Sequence, residues 1–436
     1  MQASDSVRQF SVSRFIDRLR NSRMARQGAL AFVASLMLSV GGFLFHAIAS
    51  RNLGVEEYGK LYALISVVTV AGLPVALVTP VAARFAAEFR ALHDASHMRG
   101  LTRDIGRLSA ALALTYIAGS FVLSQSISEY LRVPVWSVPL AGIMCALGVF
   151  SGQFRAVAQG TQDFLGYAFS LAGEGVTKVV AMALCALLGL GLAGGIFGFT
   201  AGLLCGMLLI GIRLFLRYRS AHAQSIQYDW RRIALSGAGA AALTISITLI
   251  GSVDVVLVKH FFSATDAGLY SAASLGGKIV LYFVGFVPTV LLPQATDRHV
   301  RGQRTREALM ACLATLGVLA LGGLLIMKLF GIYILHALVG PAYDAAAGLL
   351  VGYAAAMVLQ ATISVLGAYG IATHRLAFAI PLLCGTIFTI GAIALFHPTL
   401  TAVVEVLVTG NALTCVAVAV AITWQGIRSL SMETAR

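Results

Sequence analysis

Charge is scarce in this sequence. Asp, Glu, Lys and Arg make up 11% of its 436 residues, against roughly 25% in an ordinary soluble domain, and the mean hydropathy is +0.87. That shortage places the chain among membrane proteins. The six cysteines, Cys145, Cys185, Cys205, Cys312, Cys384 and Cys415, each fall in apolar runs, with no C-x-x-C and no metal-spaced His/Cys group. Neither a disulfide framework nor a metal site is expected from them. Also missing are G-x-S-x-G, H-E-x-x-H and any acidic cluster on a large loop, so the chain is not expected to be an enzyme or to need a cofactor. No segment is large and polar enough for a soluble domain, and the net charge of +13 is spread over short connections. Nucleic acid is therefore excluded as a partner, and the arginines are placed to meet membrane lipid headgroups instead.

What is abundant is uncharged length. Ten runs contain no Asp, Glu, Lys or Arg: 27–50, 61–83, 108–128, 133–154, 179–212, 233–253, 308–327, 345–374, 376–404 and 406–427. A membrane-crossing helix needs about 20 mostly apolar residues. Two further spans must carry charge, about 166–188 with Glu174 and Lys178, and about 273–293 with Lys278. The expected fold class is thus an all-α integral membrane protein of about twelve transmembrane helices.

The first run follows 26 residues rich in arginine and shows no clear cleavage signal, so it reads as a retained helix and not a removed signal peptide. The preceding VRQFSVSRFIDRLR is either a short interfacial helix or a disordered basic tail. With twelve spans and the N-terminus inside, 24 of the 31 Lys and Arg residues fall on the cytoplasmic side and 5 on the other. This bias predicts that both termini are cytoplasmic.

The longest basic connection, 213–232, separates six spans from six. The division predicted is a basic segment 1–26, a first lobe 27–215, a linker 216–230, a second lobe 231–427 and a tail 428–436. An internal echo supports it: LGVEEYGKLYALISVV at 53–68 and FSATDAGLYSAASLGG at 262–277 each set an acid before a Gly and a Tyr, with Gly59 and Tyr62 answering Gly268 and Tyr270. Halves with an even number of spans share one orientation, giving parallel repeats and a seam between lobes that can open to either side. Transporters place substrate at such a seam.

A charge within a span costs at least about 2.5 to 3.5 kcal/mol, so each one needs a reason. Glu174 and Lys178, at i and i+4, share a helix face and can pair; they are either a structural pair or a cation facing a wet lumen, tuned by its acid. Asp254 and Lys278 border adjacent spans seven and eight, where they either pair, face the seam or, for Lys278, snorkel to headgroups. Gly276 and Gly277 leave room beside Lys278 for an anionic group. Arg84 and Arg155 end spans two and four, either as phosphate contacts or as ordinary anchors. Glu405 is an isolated acid early in span twelve. Pro74 and Pro288 interrupt the equivalent spans two and eight, which makes them candidate hinges.

Four pieces carry a family likeness: IASRNLGVEEYGKLYALISVV (48–68), GSVDVVLVKHFFSATDAGLYSAASLGGKIV (251–280), VLLPQAT (290–296) and LFGIYILHALVGPAYDAAAGLLVGYAAAM (329–357). With the twelve-span layout, the chain resembles the polysaccharide biosynthesis and export family of the multidrug/oligosaccharidyl-lipid/polysaccharide exporter superfamily, of the O-antigen flippase type. The resemblance implies a V-shaped two-lobed bundle that passes a polyprenyl-diphosphate-linked oligosaccharide to the periplasmic leaflet, beside a polysaccharide polymerase and glycosyltransferases. It implies structural roles for Gly59, Asp254, Gly268, Tyr270, Pro293 and Tyr343, and lumenal cations at Lys278, Lys178, Arg84 and Arg155 to meet diphosphate. Glu174 and Asp254 are candidates for coupling or charge pairing. Lipid II flippases of the superfamily commonly have fourteen spans, so twelve favours the O-antigen or exopolysaccharide branch. The alternatives are a Na⁺- or H⁺-driven drug or metabolite exporter, with an essential acid and aromatic contacts, and a non-transporting scaffold.

Overall fold

The computed structural model describes residues 23–434, other than 221, 227, 229 and stretches within 286–304. Every regular element among them is helical, as hydrocarbon requires of a chain that must satisfy its backbone hydrogen bonds within each segment. The first lobe comprises α1 (Arg23–Ala71), α2 (Leu73–Ala91), α3 (Ala95–Val122), the short α4 (Ser124–Leu131), α5 (Ser137–Gly160), α6 (Phe164–Leu187) and α7 (Gly191–Tyr218). The second comprises α8 (Trp230–Ile250), α9 (Val253–Phe261), α10 (Ala264–Val284), α11 (Arg306–Leu338), α12 (Ala347–Ala372), α13 (Ala379–Leu395) and α14 (Leu400–Thr434), with 3-10 turns at Pro341–Ala346 and Leu376–Phe378.

Eleven helical stretches are long and apolar enough to cross a membrane. One of them, running through α1, holds two crossings: the helix is broken at Gly54, where φ is 74° and ψ 176°, a backbone region essentially confined to glycine. The second crossing bends again where Gly72 caps one segment and Pro74 opens the next; proline fits a first helical turn because its missing N–H would have no partner there. The twelve-span pattern is present, and the second span is interrupted at Pro74 as expected. Pro288, Pro293 and the basic stretch before residue 23 lie outside the described residues. Short connections are closed by side-chain caps, with Asp94 accepting from the His97 N–H at 2.9 Å and Asp163 from the Gly166 N–H at 3.1 Å, the commonest way to satisfy helix-start donors.

Large apolar side chains such as Val122, Leu187 and Leu395 project outward from the lobes, where acyl chains cover them. The interior between the lobes is built from tyrosines: Tyr58, Tyr270, Tyr343 and Tyr353 are fully buried, with Tyr58 edge-on to Tyr343 at 5.8 Å and Tyr270 edge-on to Tyr353 at 5.7 Å. A tyrosine suits this place because its ring fills apolar space while its hydroxyl finds a partner.

The lobes are drawn together at the end remote from the basic connections. There Arg51 donates to the backbone oxygens of His336 (3.0 Å) and Ala337 (2.8 Å), Tyr343 to that of Ser50 (3.1 Å), and Thr265 to Glu56 (3.1 Å). The rings of Tyr130 and His260 stack at 3.8 Å across the same boundary. There Gly59 faces Gly268: a Cβ on the first would lie 2.9 Å from the backbone nitrogen of the second, and one on Gly268 would lie 2.1 Å from the backbone oxygen of Val55. The two glycines matched in the internal repeat are thus the ones that meet across the seam.

Candidate functional site

Between the lobes lies a cavity of about 460 Å³, within the size range of small-molecule sites. Its walls come from both segments of α1 (Phe43, His46, Tyr62 and Ser66), from the α8–α9 junction (Ser252), from α10 (Lys278 and Tyr282) and from α12 (Gln360). The lining mixes aromatic surface with a few polar groups and, among the described residues, contains no carboxylate.

Lys278 is the one predicted cation that reaches this cavity. Its Nζ donates to Tyr62 Oη at 3.1 Å and lies 5.2 Å from the centre of that ring. The preceding glycines serve packing and not a ligand: a Cβ on Gly277 would come within 2.6 Å of the Tyr353 ring, and one on Gly276 within 2.6 Å of Leu350. They let α10 lie close against α12.

Asp254 is 2% exposed and does not touch Lys278. Instead a line of hydroxyls joins them. Ser274 donates to Tyr353 Oη at 2.9 Å, and Tyr353 and Tyr270 donate to Asp254 Oδ2 at 2.7 and 2.9 Å. Ser274 Oγ lies 3.4 Å from Tyr62 Oη. A hydroxyl has one hydrogen to give, and that of Ser274 is committed to Tyr353, so Tyr62 donates to Ser274. Every bond therefore runs in one sense, from the Lys278 ammonium through Tyr62, Ser274 and Tyr353 to the carboxylate. Asp254 Oδ1 has no hydrogen-bond partner among the described residues, and the same holds for Gln360 Oε1.

The expected Glu174–Lys178 pair forms, with Lys178 Nζ 3.0 Å from Glu174 Oε1, but it has a third member. Arg155 reaches from α5 to donate to Glu174 Oε2 at 2.7 Å and to both Oγ and O of Ser170 at 2.8 and 3.0 Å. The Lys178 ammonium also sits 4.0 Å from the centre of the Phe199 ring, a favourable site for a cation. Gly206 of α7 admits this arrangement, since a Cβ there would fall 2.5 Å from Arg155 Nη2. The triad is enclosed by α5, α6 and α7, and none of its members lines the interlobe cavity. Arg84 is exposed on α2 and does not line it either. Glu405 borders a separate recess between α12 and α14.

His46, Tyr282, Ser274, Tyr353 and Gln360 escaped the sequence reading. His46 alone carried a usable signal, as the single imidazole within the first charge-free run. It approaches Tyr58 Oη at 3.3 Å through Nδ1.

No protein-family model matches the chain. It is 26% identical over 293 residues to uncharacterized proteins of two Mycobacterium tuberculosis strains (CDC 1551 / Oshkosh and H37Rv), covering 64% of this chain. The chain thus spans 65% of the length of those relatives. Among solved structures it is similar to the inward-facing conformation of a multidrug resistance MATE family transporter of the MOP superfamily, with a TM-score of 0.68 at 14% identity, covering 93% of this chain and 99% of that one. An outward-facing conformation of a multidrug resistance MATE family transporter gives 0.56 at 16% identity, covering 97% and 99%. MATE in a bent conformation gives 0.59 at 14%, covering 96% and 98%.

These likenesses show the fold, which the chain shares with those transporters. They overturn the O-antigen flippase assignment: the architecture is of the MATE type, and the polyprenyl-diphosphate glycan, the polymerase and the glycosyltransferases do not stand as its substrate and partners. The physical reason lies in where the quoted pieces fall. Gly59, Gly268, Tyr270, Tyr343 and Asp254 pack or bond at the seam, so those pieces report how two lobes meet and not what passes between them. The cationic passage expected for diphosphate is also reduced to Lys278, because Arg155 and Lys178 are held by Glu174 and Arg84 lies outside.

Proposed function

We propose that the chain exports small amphipathic molecules by alternating access, driven by a proton or sodium gradient. The basic connections face the cytoplasm, both termini lie there, and the seam closed in this structure is the periplasmic one. The observation that carries the proposal is the directed line from cavity to buried acid, Lys278–Tyr62–Ser274–Tyr353–Asp254. Greater similarity to the inward-facing transporter than to the outward-facing one supports the assignment of state.

The line crosses the lobe boundary twice. Tyr62 belongs to the first lobe, while Lys278 and Ser274 on either side of it belong to the second. When Asp254 gains a proton or a cation, Tyr353 and Tyr270 no longer donate to a bare carboxylate, and the order of the hydroxyls behind them weakens. Tyr62 is then held less firmly, and the seam loses part of its closure. A ligand can shift such an equilibrium only by the difference in its affinity for the two states, and Asp254 supplies that difference for the coupling ion.

Phe43, Tyr62 and Tyr282 favour a flat aromatic substrate. Lys278 and the unpaired Gln360 Oε1 favour one that carries an acceptor or acidic group together with a donor. The test is efflux from proteoliposomes holding the full chain, with one anionic and one cationic aromatic dye under imposed proton or sodium gradients. Asp254→Asn is expected to abolish gradient-driven efflux of both dyes, and Lys278→Ala to impair the anionic dye selectively. Efflux that persists in Asp254→Asn, or that ignores both gradients in the unaltered protein, refutes the proposal.

A further inference from the structure

On the outer surface of the first lobe, α6 and α7 enclose a second concavity of about 600 Å³, unrelated to the transport cavity. It is bordered by Phe169 of α6 and by Leu209, Ile212, Arg213, Leu216 and Arg217 of α7. The α7 positions are spaced i, i+3, i+4, i+7 and i+8, which makes one continuous helix face. That face changes character along its length. Leu209, Ile212, Leu216 and Phe169 are exposed apolar side chains, while Arg213 ends the charge-free run 179–212 and Arg217 lies one turn beyond. The groove therefore runs from hydrocarbon depth to the level of the headgroups.

Its charges do not cancel. Asp163 is the only carboxylate paired with either arginine among the described residues. Arg213 gives it two bonds, Nε to Oδ2 at 2.6 Å and Nη2 to Oδ1 at 2.9 Å, out of the five N–H donors a guanidinium carries. Arg217 Nη1 stands 3.6 Å from Asp163 Oδ2, and the two arginine side chains are 45% and 49% exposed. Gly166 allows Arg213 to lie flat across the start of α6, since a Cβ there would come within 2.7 Å of the arginine Cδ. Two guanidiniums thus share one acid at the mouth of an apolar groove, leaving one positive charge and several donors unspent.

We propose that this groove is a binding site for an anionic glycerophospholipid, with the phosphate on Arg213 and Arg217 and an acyl chain along Phe169, Leu209, Ile212 and Leu216. Acyl chains cover this face in any bilayer; the arginines select which headgroup accompanies them. The inference does not depend on the transport proposal.

The test uses the full-length protein in phosphatidylcholine nanodiscs titrated with fluorescent phosphatidylglycerol, against fluorescent phosphatidylcholine as the neutral control. The unaltered protein is expected to prefer the anionic lipid. Arg217→Gln, which leaves the Asp163–Arg213 pair in place, is expected to lower that preference about fivefold. Asp163→Asn keeps a helix-capping acceptor while removing the competing charge, and is expected to raise it. Raised ionic strength reduces the preference in the unaltered protein. Equal binding of the two lipids by the unaltered protein overturns the proposal. So does an anionic preference unchanged in Arg217→Gln, or inorganic phosphate alone displacing the fluorescent lipid at equal concentration, which would mean that the acyl groove contributes nothing.

Discussion

Replacing Glu174 with Ala is the most severe single change the structure suggests. The carboxylate is 6% exposed and accepts one short bond from each of two cations, Arg155 at 2.7 Å and Lys178 at 3.0 Å. Hydrogen bonds to charged groups are each worth about 1.5 to 3 kcal/mol, and breaking a buried pair by removing one partner costs about 3 to 5 kcal/mol because the stranded charge remains. Two cations would be stranded here. Each keeps a partial refuge, Arg155 in its Ser170 bonds and Lys178 over the Phe199 ring, so the lower part of that range, about 3 to 4 kcal/mol, is expected. The assay is reversible unfolding in mixed micelles with increasing SDS, followed by circular dichroism. Glu174→Gln, which keeps an acceptor, should lose less. Removing the lysine as well, in Glu174→Gln with Lys178→Met, should recover part of that loss. A Glu174→Ala protein within about 0.5 kcal/mol of the parent, as for an ordinary surface substitution, would refute the view of Glu174 as the counter-ion of a buried pair of cations. Gradient-driven efflux adds a second criterion. A structural triad predicts that Glu174→Gln protein that folds still transports, whereas a coupling role predicts folded, inactive protein.

Gly54→Ala places a Cβ where φ is 74° and ψ 176°, and is expected to cost about 1 to 3 kcal/mol in the same unfolding assay. Gly59→Leu forces a side chain into backbone atoms of Gly268; spin labels placed on the two lobes near the closed end should report a shift toward separated lobes, with helicity unchanged. Asp163→Ala removes a helix cap and the partner of Arg213, and is expected to cost about 1 to 2 kcal/mol. Burial alone would raise the Asp163 carboxyl, but the Arg213 hydrogen bonds and the Gly166 N–H more than offset it and hold it below the usual carboxylate range. Its contribution is therefore complete at neutral pH and is lost as pH falls below the ordinary aspartate value and through the lowered one; unfolding measured from pH 7 down to pH 3 should show the gap between parent and Asp163→Ala narrowing only at the acid end.

Several parts of this molecule are legible before any coordinates. The spans are, because hydrocarbon tolerates so little charge that residues such as Arg51, Lys60, Arg84 and Arg132 mark where the uncharged runs begin or end. The Glu174–Lys178 pair is, because helical spacing alone brings i and i+4 together. Arg155 is not: it meets Glu174 from another helix, and at the end of a span it has the look of any anchor. The hydroxyl line is hidden for a different reason, since Ser and Tyr residues are many and their alignment depends on how α1, α10 and α12 cross. The quoted pieces misled about function, because residues such as Gly59 and Tyr343 encode the closure of the seam, which a fold keeps whatever its role.

That closure has an energetic character of its own. Where Gly59 and Gly268 meet, neither contributes a side chain, and around them Arg51 and Tyr343 terminate on peptide oxygens. Parting them uncovers peptide groups that water satisfies almost as well as protein does. If the chain alternates access as proposed, this polar part of the closure opens at little cost, and the gradient of the coupling ion has only the apolar contacts of the seam left to overcome.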